Sequence, residues 1–304
     1  MRIVSLLPSA TEIVYALGLD DQLVGVTFEC NEPPQARVDK RIVVGGADTS
    51  VMTVAEIDAY VRSQLAAGED LYTLDEGALA ELAPDLILSQ DLCRVCAIPT
   101  GQVDAALAHL GCVADVVRLD PYSLAEVLAS IQAVGRAAGV VSRADQLVES
   151  LESRLSDVRA AVAGRDRVRV AVVEWVDPLF TGGHWIPDQI EAAGGIPVGG
   201  HPHQASGVSS WAELRAERPE VVFVAPCGFG LDGAAAQAEV VARELPAAAV
   251  WAIDGDAVIV RPGPRLVDGV AAMASVLHPG AVPPSAYVRM ARVPALEARN
   301  TVAT

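Results

Sequence analysis

Residues 123–163 contain no proline and repeat apolar side chains at three- and four-residue steps: Leu124, Val127, Leu128, Ile131, Val134, then Leu147, Leu151, Leu155 and Val158. That spacing is one face of an α-helix, and Ser123 and Glu126 stand at capping-box spacing at its start. Either one long helix or two helices bending near Gly139 fit this pattern. At roughly 1.5 Å per residue such a stretch is long enough to reach from one lobe of a protein to another. On both sides of it the pattern changes to short apolar runs separated by amphipathic segments. Before it, strands are expected at 2–7, 23–27, 42–44, 85–89 and 113–118, with helices at 53–65, 76–82 and 101–110. Pro8 to Thr11 opens a further helix, in which Ser9 and Glu12 have capping-box spacing. After it, strands are expected at 168–174, 220–225, 250–253 and 257–260. The helices expected there are 186–193, 211–216, 234–244 and 263–277. Strands alternating with helices signal mostly parallel sheets. The fold expected is therefore α/β: two Rossmann-like lobes joined by a long rigid helix, with a ligand cleft between the lobes. The boundaries drawn are 1–121 for the first lobe, 122–163 for the linking helix and 164–290 for the second lobe. The Pro- and Ala-rich end past Pro279 is expected to be poorly ordered, with 291–304 as a disordered tail.

Charge and composition exclude several function classes. The formal net charge is -17 and charged residues make up 20%, so nucleic acid and anionic membrane are not expected partners. Lys40 is the sole lysine, and it lies in neither a phosphate-loop nor a Schiff-base context. Nucleophile-elbow spacing is absent. The chain starts directly on a strand with no visible signal peptide, so as written it reads as cytoplasmic; with a leader removed it would be extracytoplasmic. Nothing in the sequence demands an oligomer, and a monomer is expected.

In an open α/β sheet, ligands bind outside the carboxyl ends of the strands. Six segments fall there: Pro8-Ser9-Ala10-Thr11, Phe28-Glu29-Cys30, Gln90 to Cys96, Glu174-Trp175, Gly182 to Trp185, and Pro226 to Phe229. Trp175, Trp185, Trp211 and Phe229 are candidate walls for a large planar ligand, with burial in the core as the competing reading. The cysteines stand out. Cys93 and Cys96 have C-x-x-C spacing, and Cys30 and Cys227 fall on other strand-end loops. They read as inert buried thiols, as ligands of a metal ion or iron–sulfur cluster, or as thiols touching a bound ligand. Cys112 is expected in the core. His184 follows two glycines and is a candidate axial imidazole, and His201 and His203 are weaker candidates. Gly228 to Gly233 matches G-x-G-x-x-G with Asp254 about twenty residues on, the pattern of a dinucleotide site, but it comes late for a full dinucleotide fold.

The motifs Ser5-Leu6-Leu7-Pro8-Ser9-Ala10-Thr11-Glu12, Leu23-Val24-Gly25-Val26, Pro33-Pro34-Gln35-Ala36, Ala83-Pro84-Asp85-Leu86-Ile87, Pro178 to Gly183 and Pro264-Arg265 occur in that order. As an ordered set they resemble the helical-backbone substrate-binding proteins of ABC importers. The loop Gln90 to Cys96, with Phe28-Glu29-Cys30 upstream, is similar to the cobalamin-binding subgroup. The resemblance implies a non-enzymatic protein that needs no cofactor and binds a corrinoid or a similar large metal chelate. It also implies an ABC permease as partner, docked through acidic residues near Glu76 and Glu213. The ligand-binding residues expected are Pro8, Ser9, Phe28, Glu29, Cys30, Asp91, Trp175, His184, Trp185, Phe229 and Arg265. The alternative is a cytoplasmic metal- or cluster-binding redox protein using Cys30, Cys93, Cys96 and Cys227.

Overall fold

The computed structural model describes residues 1–47, 49, 52–92, 100–110 and 113–292. The chain divides into two compact units, one holding Met1–Ser153 with Pro262–Pro264, the other Arg154–Arg261 with the chain from Arg265 onward.

In the first unit the chain runs β1 (Ile3–Ser5), α1 (Pro8–Ala16), β2 (Leu23–Thr27), α2 (Gln35–Asp39), β3 (Arg41–Gly46) and α3 (Val54–Ala67). It continues through β4 (Tyr72–Leu74), α4 (Glu76–Leu82), β5 (Leu86–Ser89), α5 (Thr100–Leu110), β6 (Asp115–Arg118) and α6 (Leu124–Ala137). The strands form one sheet in the order β4-β3-β2-β1-β5-β6, parallel except for β4, which runs antiparallel to β3. α1 starts on Pro8 at its first turn with Leu7 as N-cap and no side-chain cap. The Ser9–Glu12 box expected there does not form, because a helix that opens on proline already has φ preset and one fewer orphan N–H. Gly18 ends it at φ 64°, a conformation glycine takes without steric cost. The core of this unit includes Val4, Leu6, Val43, Leu79, Ile87 and Val103. Each such side chain contributes roughly 1.5–3 kcal/mol when fully removed from water. At Gly25 in β2 a Cβ would sit 2.8 Å from the Leu82 side chain, so the glycine lets α4 lie close on the sheet.

The helical stretch divides at Gly139 (φ 70°) into α6 and α7 (Val141–Val162), and the boundary between the units falls inside α7. The Ser123–Glu126 box forms as expected: the Ser123 hydroxyl accepts from Glu126 N, and the Glu126 carboxylate accepts from Ser123 N.

The second unit continues β7 (Arg169–Val176), β8 (Leu179–Thr181), β9 (Gly183–His184), α8 (Ile186–Ala192), β10 (Ile196–Pro197), β11 (His201–Pro202), β12 (Gly207–Val208) and α9 (Trp211–Ala216). It ends with β13 (Val221–Val224), α10 (Leu231–Glu244), β14 (Ala249–Ile253), α11 (Gly255–Val258), α12 (Leu266–Leu277) and β15 (Val288–Arg292). The main sheet has the order β12-β8-β7-β13-β14-β15. β7, β13 and β14 are parallel, and β8, β12 and β15 run antiparallel to their neighbours. β7 is long enough to pair β10 with its first half and β8 with its second. Two expectations are corrected. The strand expected at 257–260 is instead the helix α11, whose N-cap Asp254 accepts a hydrogen bond from Ala257 N. The segment past Pro279, expected to lack order, contributes β15, which pairs with β14; residues 293–304 lie outside the described residues.

Candidate functional site

Because β1, β2, β3, β5 and β6 are parallel, their carboxyl ends share one edge of the first unit's sheet. The turn after β2 carries Phe28 and Glu29, both half-buried. Antiparallel β4 brings its first residue, Tyr72, opposite Gly46 at the end of β3. A Cβ on Gly46 would lie 2.9 Å from the Phe28 ring, so the glycine gives that ring its place. The Phe28 and Tyr72 ring centroids are 6.2 Å apart at 46°. The Tyr72 hydroxyl donates to Glu29 Oε1 at 3.1 Å. Tyr72 was not among the residues expected from sequence. No local pattern marks it, since its place depends on an antiparallel edge strand that the sequence does not announce.

Of the other expected residues of this unit, Cys30 and Asp91 are engaged in holding it together. Pro8 is half-exposed, whereas Ser9 is buried at 3% exposure. Cys30 is fully buried, with its Sγ 3.0 Å from Thr11 Oγ1. Thr11 donates on to Ser5 Oγ, and Ser5 to Leu7 O. This buried chain ties β1, α1 and the end of β2 together. Asp91 is exposed, but its Oδ1 accepts from Thr100 N at the start of α5 and its Oδ2 lies 3.8 Å from Arg118 Nε. The carboxylate ties Asp91 to the start of α5 and to the end of β6. Cys93, Cys96 and Cys112 lie outside the described residues.

In the second unit β7, β13 and β14 end at Val176, Val224 and Ile253, so that Trp175, Pro226-Cys227-Gly228-Phe229 and Asp254 lie at or just past their carboxyl ends. Trp175 and Phe229, both half-buried, have ring centroids 5.8 Å apart at 52°. The Trp175 indole donates to Asp177 O, which holds the ring beside the strand end. Trp185 is placed differently. It is 4% exposed, and its Nε1 donates to Ile259 O at 2.7 Å, so it belongs to the core and not to a ligand wall. Trp211 is half-buried at the start of α9. Arg265 is half-buried at the N-cap of α12.

His184 has φ 50°, and its backbone is held on both sides. Its N–H donates to Gln204 O at 2.6 Å and its carbonyl accepts from His203 N at 3.1 Å. Its ring lies 5.4 Å from that of Trp185, and Nε2 is buried, so that nitrogen does not face solvent as an axial ligand must. Burial pushes the imidazole below its ordinary value of 6.5, because the charged form is poorly solvated there. A depressed histidine contributes stability that is present above about pH 6.5 and is lost as the pH falls through the folded value. The melting temperature is therefore expected to drop on acidification below about pH 6.5. His184→Asn, which tolerates the left-handed backbone, should flatten that drop in calorimetric scans; a profile as steep as wild type counts against the assignment. His203 Nε2 lies 2.9 Å from Asp188 Oδ1, and the His201 ring packs over Gly207.

The cysteine cluster is not supported. Cys30 is in the core of the first unit, Cys227 is exposed in the second, and no group of three or more His, Cys, Asp or Glu residues that could hold a metal ion occurs among the described residues. The glycine-rich turn is likewise built for packing: a Cβ on Gly233 would lie 2.4 Å from the Phe229 side chain. Asp254, the acidic residue a dinucleotide ribose would need, caps α11. Glu213 completes a capping box on α9. Its Oε2 accepts from the Ser210 hydroxyl and N–H at 2.9 Å each. These bonds, the side-chain one foremost, hold its carboxyl below the usual glutamate range. Glu76 is exposed in the first turn of α4. A cavity of about 390 Å³ opens on the second unit beside α9, lined in part by Pro187, Pro202, Val208 and Leu214. None of the residues expected to touch ligand lines it.

The sequence profile of the periplasmic binding protein family matches residues 3–259. The chain belongs to that family. It is 27% identical over 91% of its length to the ABC transporter substrate-binding lipoprotein YvrC of Bacillus subtilis, covering 80% of that protein. It is 26% identical over 88% of its length to the vitamin B12-binding protein of Vibrio cholerae, covering 86% of it. Among solved structures, a periplasmic haem-binding protein from Pseudomonas aeruginosa superposes with a TM-score of 0.69 at 21% identity, over 96% of this chain and 98% of that one. The α/β fold with mostly parallel sheets is thus shared with solved periplasmic binding proteins. As a periplasmic binding protein the chain is a non-enzymatic, solute-binding component of an ABC importer, acting with a small-molecule ligand and a cognate permease. The cytoplasmic placement expected from the sequence is overturned here, because the family is periplasmic and the Bacillus relative is a lipoprotein.

Proposed function

We propose that this periplasmic binding protein captures a corrinoid of the cobalamin type and delivers it to an ABC permease. The observation that carries the reading is the pair of aromatic surfaces at the sheet edges where the parallel strands end, Phe28 with Tyr72 in the first unit and Trp175 with Phe229 in the second. Flat apolar side chains with a few polar neighbours suit a large, rigid macrocycle. Pro8 and Glu29 in the first unit and Arg265 in the second are the further contacts proposed. Two kinds of relative support the ligand class. The Vibrio cholerae protein is named for vitamin B12, and a protein of Halobacterium salinarum, 25% identical over 91% of this chain, is named cobalamin-binding.

Titration of the purified protein with cyanocobalamin is expected to give saturable heat and a coloured complex that survives desalting. Haem run in parallel is expected to bind more weakly. Retention of haem with no heat and no retention for cyanocobalamin overturns the corrinoid reading and leaves the family assignment in place.

A further inference from the structure

We infer that Asp256 is a positioning residue for ligand capture: its carboxylate locks the turn after β13 and so fixes the Phe229 ring beside Trp175 before ligand arrives. The inference rests on the proposal that the Trp175–Phe229 surface touches the macrocycle, and it adds the residue that prepares that surface.

Pro226, Cys227, Gly228 and Phe229 form a four-residue turn, closed by the Phe229 N–H donating to Pro226 O at 3.2 Å. Its third residue, Gly228, has φ 82°, the left-handed value that a type II turn requires there. Glycine takes that value without steric cost, but it also has the most backbone freedom to lose. Cys227 and Gly228 are exposed, so packing does not hold the turn in one state. The constraint comes from the neighbouring strand end. Gly228 N donates to Asp256 Oδ1 at 2.9 Å, and Asp256 Oδ2 accepts from Arg261 Nη2 at 3.0 Å. The Asp256 and Arg261 side chains are only 17% and 13% exposed. One carboxylate oxygen thus holds the turn while the guanidinium holds the other. α11 has its cap in Asp254, so capping does not account for the Asp256 carboxylate. Gly255 lets the two strand ends meet, since a Cβ there would lie 2.9 Å from Pro226 O.

The bond to Asp256 fixes the peptide that joins Cys227 to Gly228. Turning that peptide over converts a type II turn into a type I turn. The Gly228 N–H then points away from the carboxylate, and the chain enters Phe229 in a different direction. The ring is close-fitted on its other side, where a Cβ on Gly233 would lie 2.4 Å from Phe229 Cδ1. Its centroid lies 5.8 Å from that of Trp175. An exposed N–H can find its partner in water. Its capture by a held carboxylate therefore sets conformation. A ring already in its binding position has little freedom left to lose when ligand binds, which favours affinity.

The chain has four phenylalanines, so labelling the full-length protein with 4-fluorophenylalanine gives a fluorine spectrum simple enough to assign, and Phe229→Leu identifies the Phe229 resonance. In the ligand-free protein Asp256→Ala is expected to shift or broaden that resonance and leave the others in place. The Kd for cyanocobalamin should rise about ten-fold. Asp256→Asn keeps an acceptor oxygen for the Gly228 N–H. It should leave the resonance where it is and the Kd within about three-fold of wild type. In the Phe229→Leu background Asp256→Ala should change the Kd by less than about two-fold, since a positioning residue has no effect once its partner is gone. A general loss of stability would weaken binding equally in both backgrounds, and that result overturns the inference. So does an Asp256→Ala protein that keeps either the wild-type resonance or the wild-type Kd. An Asp256→Asn protein that behaves as Asp256→Ala places the effect in the ion pair with Arg261 and also overturns it. If wild type binds no cyanocobalamin, the corrinoid reading falls, and the Phe229 resonance alone decides whether Asp256 positions the ring.

Discussion

Gly269→Ala is expected to destabilise the second unit by about 3 kcal/mol, although alanine is the better helix former by about 1 kcal/mol. Gly269 lies in α12, where a Cβ would sit 2.1 Å from the Val258 carbonyl oxygen and 2.9 Å from Gln189 Nε2. The first of these is backbone, so no rotamer change relieves it. The second belongs to a clamp. Gln189 is fully buried on α8, and its amide donates to Val258 O at 3.1 Å and to Leu266 O at 2.9 Å. One side chain thereby pins the end of α11 and the start of α12, and Gly269 is the space in which this happens. Moving α12 outward to admit a methyl group pulls Leu266 O off the clamp and leaves a buried amide proton unpaired. Overpacking with loss of a buried bond outweighs the helix-propensity gain. Scanning calorimetry should show a fall of about 10 °C in the transition of this unit. A shift within about 2 °C of wild type would mean that α12 rides over the added methyl group and that the clamp is not rigid.

Trp185→Ala is expected to cost about 3–5 kcal/mol, and Trp185→Phe about 1–3 kcal/mol. The alanine variant removes a side chain that is 4% exposed and strips the fully buried Ile259 carbonyl of its indole donor. The phenylalanine variant loses the bond and keeps the larger part of the buried volume. Denaturant midpoints of the two variants separate these terms, and equal losses in both would place the whole effect in the hydrogen bond. Neither change touches the Trp175–Phe229 pair. Two tryptophans ten positions apart thus serve different ends, one in the core and one at a strand end.

That division was not legible in the sequence, where Trp175 and Trp185 both followed strands and both read as ligand walls or core. The strands β1, β2, β5, β7, β13 and β14 were legible, because each is a short apolar run bounded by turn residues. So were α4 and the capped start of α6. The strands β4, β9 and β11, of two or three residues each, carry too few positions for any period to register, whereas β1, equally short, is read from the longer apolar run that continues through Leu6 and Leu7. β4 matters most among these, since without it Tyr72 has no reason to meet Glu29. Cys30 shows a different limit. Its place after a strand was read correctly, but which way the side chain turns depends on Thr11, nineteen positions earlier. The order of motifs carried the family because it integrates over the whole chain, whereas individual side chains are decided by neighbours that are distant in sequence.

β15 sets the timetable on which the protein matures during synthesis. The first unit's strands are complete once Arg118 has emerged, whereas β14 acquires its outer neighbour only with Val288–Arg292. At about 5–20 residues per second, the nascent second unit spends seconds with an apolar strand, Ala249 to Ile253, open along one side. An open edge of that kind is a template for pairing with another chain. A nascent chain cut short before Val288 would keep that edge open for good. C-terminal truncations of this protein should therefore aggregate through the second unit, even though they leave every strand of the first intact.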